Sequence, residues 1–508
     1  MRCTIPEISW HNRDPVLSID IQAGSYKSNT NETFWRVATG GADSHVLIWH
    51  LTISENCGAV VKFAADLERH QKAVNIVRFS PSKDILASGD DESNIVLWKQ
   101  KEECEFFTAE NSENKEQWSS WKVLRGHIED VYDISWSPDS NSLISGSVDN
   151  TAILWDIHKG RSTCLLSDHK GFVQGVSWDP CNQYACTISS DRQCRLIDIS
   201  KQKIIQKVHK SKIPTPSDHP LEGKIVRLFH DDTFKSFFRR LTFSPDGVLI
   251  IVPSGIIEPH EATEKTMNAT IIFSRYSIKE PIMVLPSLDE TTIAVRCCPV
   301  YFKLQKNGPS PLIALPYRII FAVATQRSVL IYDTQQTSPI AVISNIHYTR
   351  LTDVSWSSDG KILIVSSTDG YCSIIHFQEG ELGQMYTSEN SIGDYKEAVT
   401  ENHEKVADVD NSAMDVDVNT ENLLNSEVED DNDKVLQNQE EQPSITDLEE
   451  TEDIKLVYMD ESEDNATAKD DSNKKTPLKI DKPITIASRT PRRVKLITLS
   501  SPKSAKKK

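Results

Sequence analysis

Short apolar runs separated by turn residues recur from near the N-terminus to about residue 377. The fullest unit begins Leu124-Arg125-Gly126-His127. It continues through Ile134-Ser135-Trp136-Ser137-Pro138 and Ser145-Gly146-Ser147-Val148-Asp149-Asn150, and closes on Ile153-Leu154-Trp155-Asp156. The runs are too short for helices and are punctuated by Ser, Pro, Gly and Asp, so each predicts a β-strand. A second unit runs from His70 through Val77-Arg78-Phe79-Ser80-Pro81 and Leu86-Ala87-Ser88-Gly89-Asp90-Asp91 to Ile95-Val96-Leu97-Trp98. A third runs from His169 through Val176-Ser177-Trp178-Asp179-Pro180 to Arg195-Leu196-Ile197-Asp198. One small sheet cannot bury both of its faces, so neighbouring units must stack.

A His after a Gly, a Ser-Pro turn, an Asp-containing turn and a closing Trp-Asp form the WD40 signature of a four-stranded propeller blade. His127 and His169 lie 42 residues apart, inside the usual period of roughly 40 to 45. His70 and His127 lie 57 apart, and the polar stretch Lys99–Ser120 reads as a loop insertion. Weaker copies at Val37–Trp49, Arg240–Ser274, Ile293–Asp333 and Leu351–Phe377 bring the count to seven, although the fifth and sixth lack both His and Trp. The expected fold is all-β: a seven-bladed WD40 propeller over residues 1–380. Within a blade, the His and an Asp 21 or 22 residues later are placed to hydrogen-bond and pin the turns. His70, Asp91 and Trp98, then His127, Asp149 and Trp155, then His169 and Asp191 are therefore read as structural. Glu7-Ile8-Ser9-Trp10-His11 is expected to supply the outer strand that closes the ring.

Charge divides the rest of the chain. Residues 381–481 hold 30 Asp and Glu against 8 Lys and Arg, whereas residues 482–508 hold 9 bases and no acid. The acidic linker is sparse in aromatics, cannot bury enough apolar surface to offset its ordering entropy, and is expected to be disordered. It reads either as a solvating spacer or as a polyanion that shields a basic partner. Residues 1–380 carry 44 acids and 39 bases, so the ring lacks the basic excess of a protein built to hold DNA phosphates. Contact with DNA is expected only indirectly. No run approaches the ~20 apolar residues of a membrane span, and the N-terminus lacks a signal-type apolar core, so an intracellular location is expected.

Candidate chemistry lies in two places. In the basic tail, Arg492 and Arg493 precede alternating Val494 and Leu496, with Leu499 beyond. An extended strand puts Val494 and Leu496 on one face, suited to adding to another protein's sheet edge while the arginines reach acidic neighbours. The same bases, with Lys503 and Lys506-Lys507-Lys508, also read as a nuclear import signal. Thr476, Thr490 and Ser501 each precede a proline and are candidate phosphorylation sites. The second place is Phe229–Leu241, where Phe234, Phe237, Phe238 and Arg239 are residue types enriched at binding hot spots. The bland alternative makes Phe237 and Phe238 strand residues, one inward and one outward. His230-Asp231-Asp232 is the only hint of a metal hydrolase. It has no second set at matching spacing, and the chain has neither a phosphate loop nor a nucleophile elbow. No catalytic, cofactor or metal residue is assigned. A ubiquitin-ligase receptor is disfavoured, because no Asp-Arg pair follows the blade tryptophans.

Arg227–Gly247 is not generic WD40 sequence. Together with Ala294–Phe302, Leu315-Pro316-Tyr317-Arg318, Tyr332–Gln336, Trp10-His11-Asn12 and Ser355–Gly360, it resembles the family of WD40-repeat middle subunits of chromatin assembly factor 1. Thr490–Leu499 is similar to the short motif by which that family and its relatives bind the anti-silencing-function histone chaperone, although Lys495 and Thr498 depart from the pattern. The resemblance implies a nuclear, non-catalytic histone chaperone subunit. Its partners would be the large and small subunits of the complex and histones H3 and H4, deposited on newly replicated or repaired DNA. The large subunit would dock on the ring, with Phe234, Phe237, Phe238 and Arg239 as the candidate dock. A WD40 subunit of a replication-independent histone depositor and a generic WD40 scaffold remain as alternatives.

Overall fold

The computed structural model describes residues 1–387 apart from 28–31, 55, 102–113, 217–218, 259–265, 288–289 and 307. Among these residues every regular element is a strand, and the strands pair into seven antiparallel sheets, one per blade. In blade 3 the strands Val131–Trp136, Ser142–Ser147, Ala152–Asp156 and Arg161–Leu166 pair in chain order. The first strand lies at the ring axis and is buried, while the fourth is mostly exposed. Apolar side chains from facing sheets interdigitate between blades, as Ile76 and Leu97 of blade 2 do with Val131 and Trp155 of blade 3. Burial between neighbours is therefore what each small sheet gains from the ring.

Ring closure differs from expectation. The outer strand of blade 7 is Arg2–Thr4, with Arg2 opposite His376, Cys3 opposite Ile375 and Thr4 opposite Ile374. Trp10 and His11 belong instead to blade 1. Trp10 packs on Trp49, with ring centroids 4.9 Å apart. His11 bonds Asp43 at 2.8 Å and Thr39 at 2.8 Å. The alternation of Glu7–His11 looks strand-like, but its large aromatic is drawn into the blade 1 core. Two further boundaries move. Trp118–Leu124, which takes in the end of the presumed insertion, is the outer strand of blade 2. The chain also stays on the ring past residue 380: Met385 bridges Phe302, and the Tyr386 amide donates to Tyr301 at 2.8 Å.

The histidine networks share one logic. Trp155 Nε1 donates to Ser145 Oγ at 2.8 Å, and Ser145 Oγ lies 2.7 Å from His127 Nε2. The Ser proton is thereby free to reach Nε2, which leaves the Nδ1 proton for Asp149, 2.9 Å away. Burial works against the Asp149 charge, but the His127 and Thr151 hydrogen bonds outweigh it and hold the carboxyl well below its usual range. His169 meets Asp191 and Thr187 in the same way. In blade 2 the partner of His70 is Asp90, at 2.6 Å, and not Asp91. Glu92 stands at the turn position that Asp149 holds in blade 3. Asp90, two residues earlier, both takes the His70 bond and accepts the Glu92 and Asn94 amides. Asp91 instead accepts from Asn75 at 2.6 Å.

A β-bulge opens the inner strand of six blades, and such bulges re-aim side chains. Just past it, blades 1, 3 and 7 carry Ser18, Asp133 and Asp353. Arg78 grips Asp353 through two bonds, of 2.7 and 3.0 Å, and Ser18 donates to the same carboxylate at 2.8 Å. Burial opposes the Asp353 charge, but Arg240 and Arg78 hold its carboxyl well below the usual range. The tail positions Arg492, Arg493, Val494, Leu496, Leu499, Thr476, Thr490 and Ser501, the basic segment 482–508 and residues 388–481 of the acidic linker lie outside the described residues.

Candidate functional site: the channel mouth

Phe229–Leu241 breaks into the inner strand of blade 5. Ile225–Phe229 pairs with the far half of Leu249–Glu258, and Thr242–Phe243 pairs with the near half. The residues between them leave the sheet and cross the end of the channel where the blade-entry loops gather. The Arg239 amide donates to Gln174 O at 3.0 Å, and Gln174 Nε2 returns bonds to the Ser236 and Phe237 carbonyls. The approach is close enough that a Cβ on Gly175 would lie 1.9 Å from Arg239 O, so this position requires glycine. On the other side, the Arg240 amide donates to Ile293 O and Arg240 O accepts from Val295. The segment therefore ties blade 4 to blade 6.

Arg240 is fully buried. Its guanidinium stacks 4.1 Å from the Phe238 ring and donates to Leu17 O at 3.1 Å and Asn75 O at 2.8 Å. It lies 3.5 Å from both Asp133 and Asp353. One side chain from blade 5 thus spans the channel to blades 1, 2, 3 and 7. Burial pushes its pKa down to about 10, against the pull of Asp353, so it stays charged at neutral pH. No sequence signal separated this channel-spanning Arg from its neighbour Arg239.

The four candidate dock residues do not share a surface. Arg239 is fully buried, donates to the His230 and Asp231 carbonyls, and sits 4.7 Å over the Phe234 ring. Phe234 and Phe238 are buried as well. Hot-spot composition here reflects a packed strut, because a loop leaving a sheet must satisfy its own backbone carbonyls. Phe237 alone faces outward, 67% exposed. It lies 6.1 Å from Tyr132 of blade 3. Beside that pair stand Asp91, Glu129 and Asp130. Burial first, then the Asp91 and Glu129 charges, push the Asp130 carboxyl up to about 6. Burial together with Asp130 and Asp91 raises the Tyr132 phenol. An exposed ring edged with carboxylates suits a Lys or Arg side chain, through cation–π and charge contacts.

His230 and Asp231 are already committed elsewhere. His230 Nε2 lies 2.9 Å from Asn268 Oδ1, and Asp231 pairs with Arg192 and Thr233. Two blade histidines escaped the sequence reading. His11 lies 32 residues before its Asp43 because blade 1 carries extra chain. His347 pairs with Asp369 at 3.0 Å and Ser373 at 2.8 Å without a preceding Gly or a closing Trp.

Residues 1–382 match the family model of the CAF1B/HIR1 beta-propeller domain. The chain is 47% identical over 398 residues to the CAF1B component of chromatin assembly factor 1 in Mus musculus, covering 75% of this chain and 68% of the relative. It is 46% identical over 399 residues to the same component in Gallus gallus, covering 75% and 69%. Against Protein HIR1 of Kluyveromyces lactis the identity is 28% over 388 residues, covering 72% and 43%. With all seven blades inside that match and its identity to the CAF1B relatives well above that to HIR1, this chain belongs to the CAF1B/HIR1 β-propeller family.

Proposed function

We propose that the chain is the non-catalytic ring subunit of a chromatin assembly factor 1 complex. It acts in the nucleus and helps place histones H3 and H4 on newly replicated or repaired DNA. The observation that carries this reading is the higher identity to the CAF1B relatives than to the HIR1 relative. In this reading the ring joins the large subunit, alongside the small one, and the channel mouth at Phe237 is part of that joint. Phe234, Phe238 and Arg239 contribute by holding Phe237 in place. The acidic linker screens basic histone cargo, and Arg492, Arg493, Val494, Leu496 and Leu499 receive that cargo from the anti-silencing-function chaperone. Phosphate on Thr490, beside Arg492, would weaken that exchange, and Thr476 and Ser501 are further candidate sites. The work is the controlled transfer of a basic protein pair, with no bond made or broken.

The test is affinity purification of the tagged full chain from dividing cells. Recovery of the large and small subunits of chromatin assembly factor 1 with H3 and H4 is expected. Recovery of a replication-independent histone depositor in their place would overturn the assignment.

A further inference from the structure

On the rim of the ring, a groove of ≈ 670 Å³ lies between the outer strand of blade 3 and that of blade 4, Lys203–Val208. Each is the last strand of its sheet, so each leaves one edge without a neighbouring strand. Leu165, 59% exposed, stands on one wall and Ile205, 40% exposed, on the other. The Cys164 thiol donates to Gln202 O at 3.7 Å and joins the two walls.

Charge sets this groove apart. Residues 161–212 hold 9 Lys and Arg against 4 Asp and no Glu, whereas the rest of residues 1–380 holds 40 acids and 30 bases. Three of the four acids are engaged: Asp179 with Arg275, Asp191 with His169 and Arg195, and Asp198 with Lys201. Asp168 remains, and among the described residues it is the one carboxylate that lines the groove. Against it stand Lys170, Lys203 and Lys207. All three are exposed, and among the described residues none of their ammonium groups has a hydrogen bond or ion pair.

Arg195, which lines the groove, adds a second, independent observation. It is 4% exposed. Its Nη2 donates to Asp168 O at 2.8 Å, Gln193 Oε1 at 3.2 Å and Asp191 Oδ2 at 3.3 Å, whereas Nε and Nη1 are buried without a partner. Burial pushes the guanidinium pKa down, against the pull of Asp191 and Asp168. A buried cation with donors unused is stabilised by any negative charge brought near it. Lysines on an edge strand also keep like edges apart, but that role needs no buried arginine behind them.

We propose that this rim groove docks an acidic, extended segment of a partner protein. The segment runs along the free edge of Lys203–Val208. Its carboxylates pair with Lys170, Lys203 and Lys207 and offset the buried charge of Arg195. An aliphatic side chain of the segment settles between Leu165 and Ile205. Those apolar walls favour a peptide over a nucleic-acid backbone, which has no aliphatic group to place there. The channel mouth has the opposite preference, so the ring presents two docking surfaces of opposite charge.

The test uses the full chain and a synthetic peptide of glutamate doublets separated by single leucines, carrying a benzophenone. Photo-cross-links are mapped by mass spectrometry. Cross-links to Leu165, Gln202 or Ile205 are expected. Lys203→Glu with Lys207→Glu should lower their yield about tenfold, the scale of lost charge-assisted bonds. The melting temperature should not move, because both lysines are exposed. Lys27→Glu with Lys62→Glu makes the same change of charge on blade 1, also at exposed positions, and should leave the yield near that of the unaltered chain. Cross-links confined to residues 482–508, a yield unchanged by the blade 4 pair, or an equal loss with the blade 1 pair would each overturn the proposal. So would equal labelling of the groove by the lysine counterpart of the peptide, or displacement of the glutamate peptide by duplex DNA at equal charge.

Discussion

Phe237 and Phe238 are adjacent in the chain and should behave in opposite ways. Phe238 is 3% exposed, with its ring under the Arg240 guanidinium and 6.1 Å from Tyr132. Truncating a buried Phe to Ala costs about 3–5 kcal/mol. Here the loss also removes a face on which the channel-spanning cation rests. Phe238→Ala should therefore lower the denaturation midpoint of the full chain clearly. Phe237 is 67% exposed, and an exposed substitution of this kind usually stays within about 0.5 kcal/mol. If the mouth is part of the large-subunit joint, Phe237 is the aromatic available to the partner. Removing a hot-spot aromatic costs about 2 kcal/mol or more, about 30-fold in affinity. The assays are urea denaturation of each variant and titration of the purified large subunit. A Phe237→Ala protein that folds normally and binds with wild-type affinity would refute the mouth as a dock. A Phe238→Ala protein of wild-type stability would refute the packing argument beneath it. Arg239 and Phe234 are unsuited to this test, because both are buried and their loss would confound binding with folding.

Four further outcomes are expected. Asp90→Ala should cost about 1–3 kcal/mol by stranding His70 and two amides, while Asp91→Ala should cost clearly less, read by denaturation of the pair. Deleting Met1–Pro6 removes the three residue pairings that close blade 7 and should lower stability by about 2 kcal/mol or more in the same assay. Asp130 holds its proton more tightly when folded, so its contribution to stability falls as pH rises from 3.8 toward about 6. A basic segment at the mouth should bind more tightly over that rise, measured by titration from about pH 5 to about pH 7, because Asp130 then becomes a carboxylate. Arg492→Ala with Arg493→Ala should weaken binding of the anti-silencing-function chaperone by about 1.5–3 kcal/mol per lost charge-assisted bond and leave the melting temperature of the ring unchanged.

The parts legible in the sequence are those governed by period and local turn chemistry. Alternating apolar runs closed by Ser-Pro and Trp-Asp repeat at blade length, and that repetition is enough to imply seven stacked sheets. The parts that were not legible depend on contacts between distant segments. Ring closure pairs Arg2–Thr4 with the strand that ends at His376, at the far end of the ring sequence, and nothing in Arg-Cys-Thr announces it. The Asp90 pairing turns on a shift of two positions within one turn, below the resolution of a His-to-Asp spacing rule. The Phe229–Leu241 block is the most instructive case, because aromatic and Arg composition is common to a binding hot spot and a buried strut. What separates them is whether each guanidinium finds carbonyls within the ring. Arg239 and Arg240 do, and both are fully buried. Hot-spot composition becomes informative about docking only together with exposure, which of the four candidate dock residues Phe237 alone has.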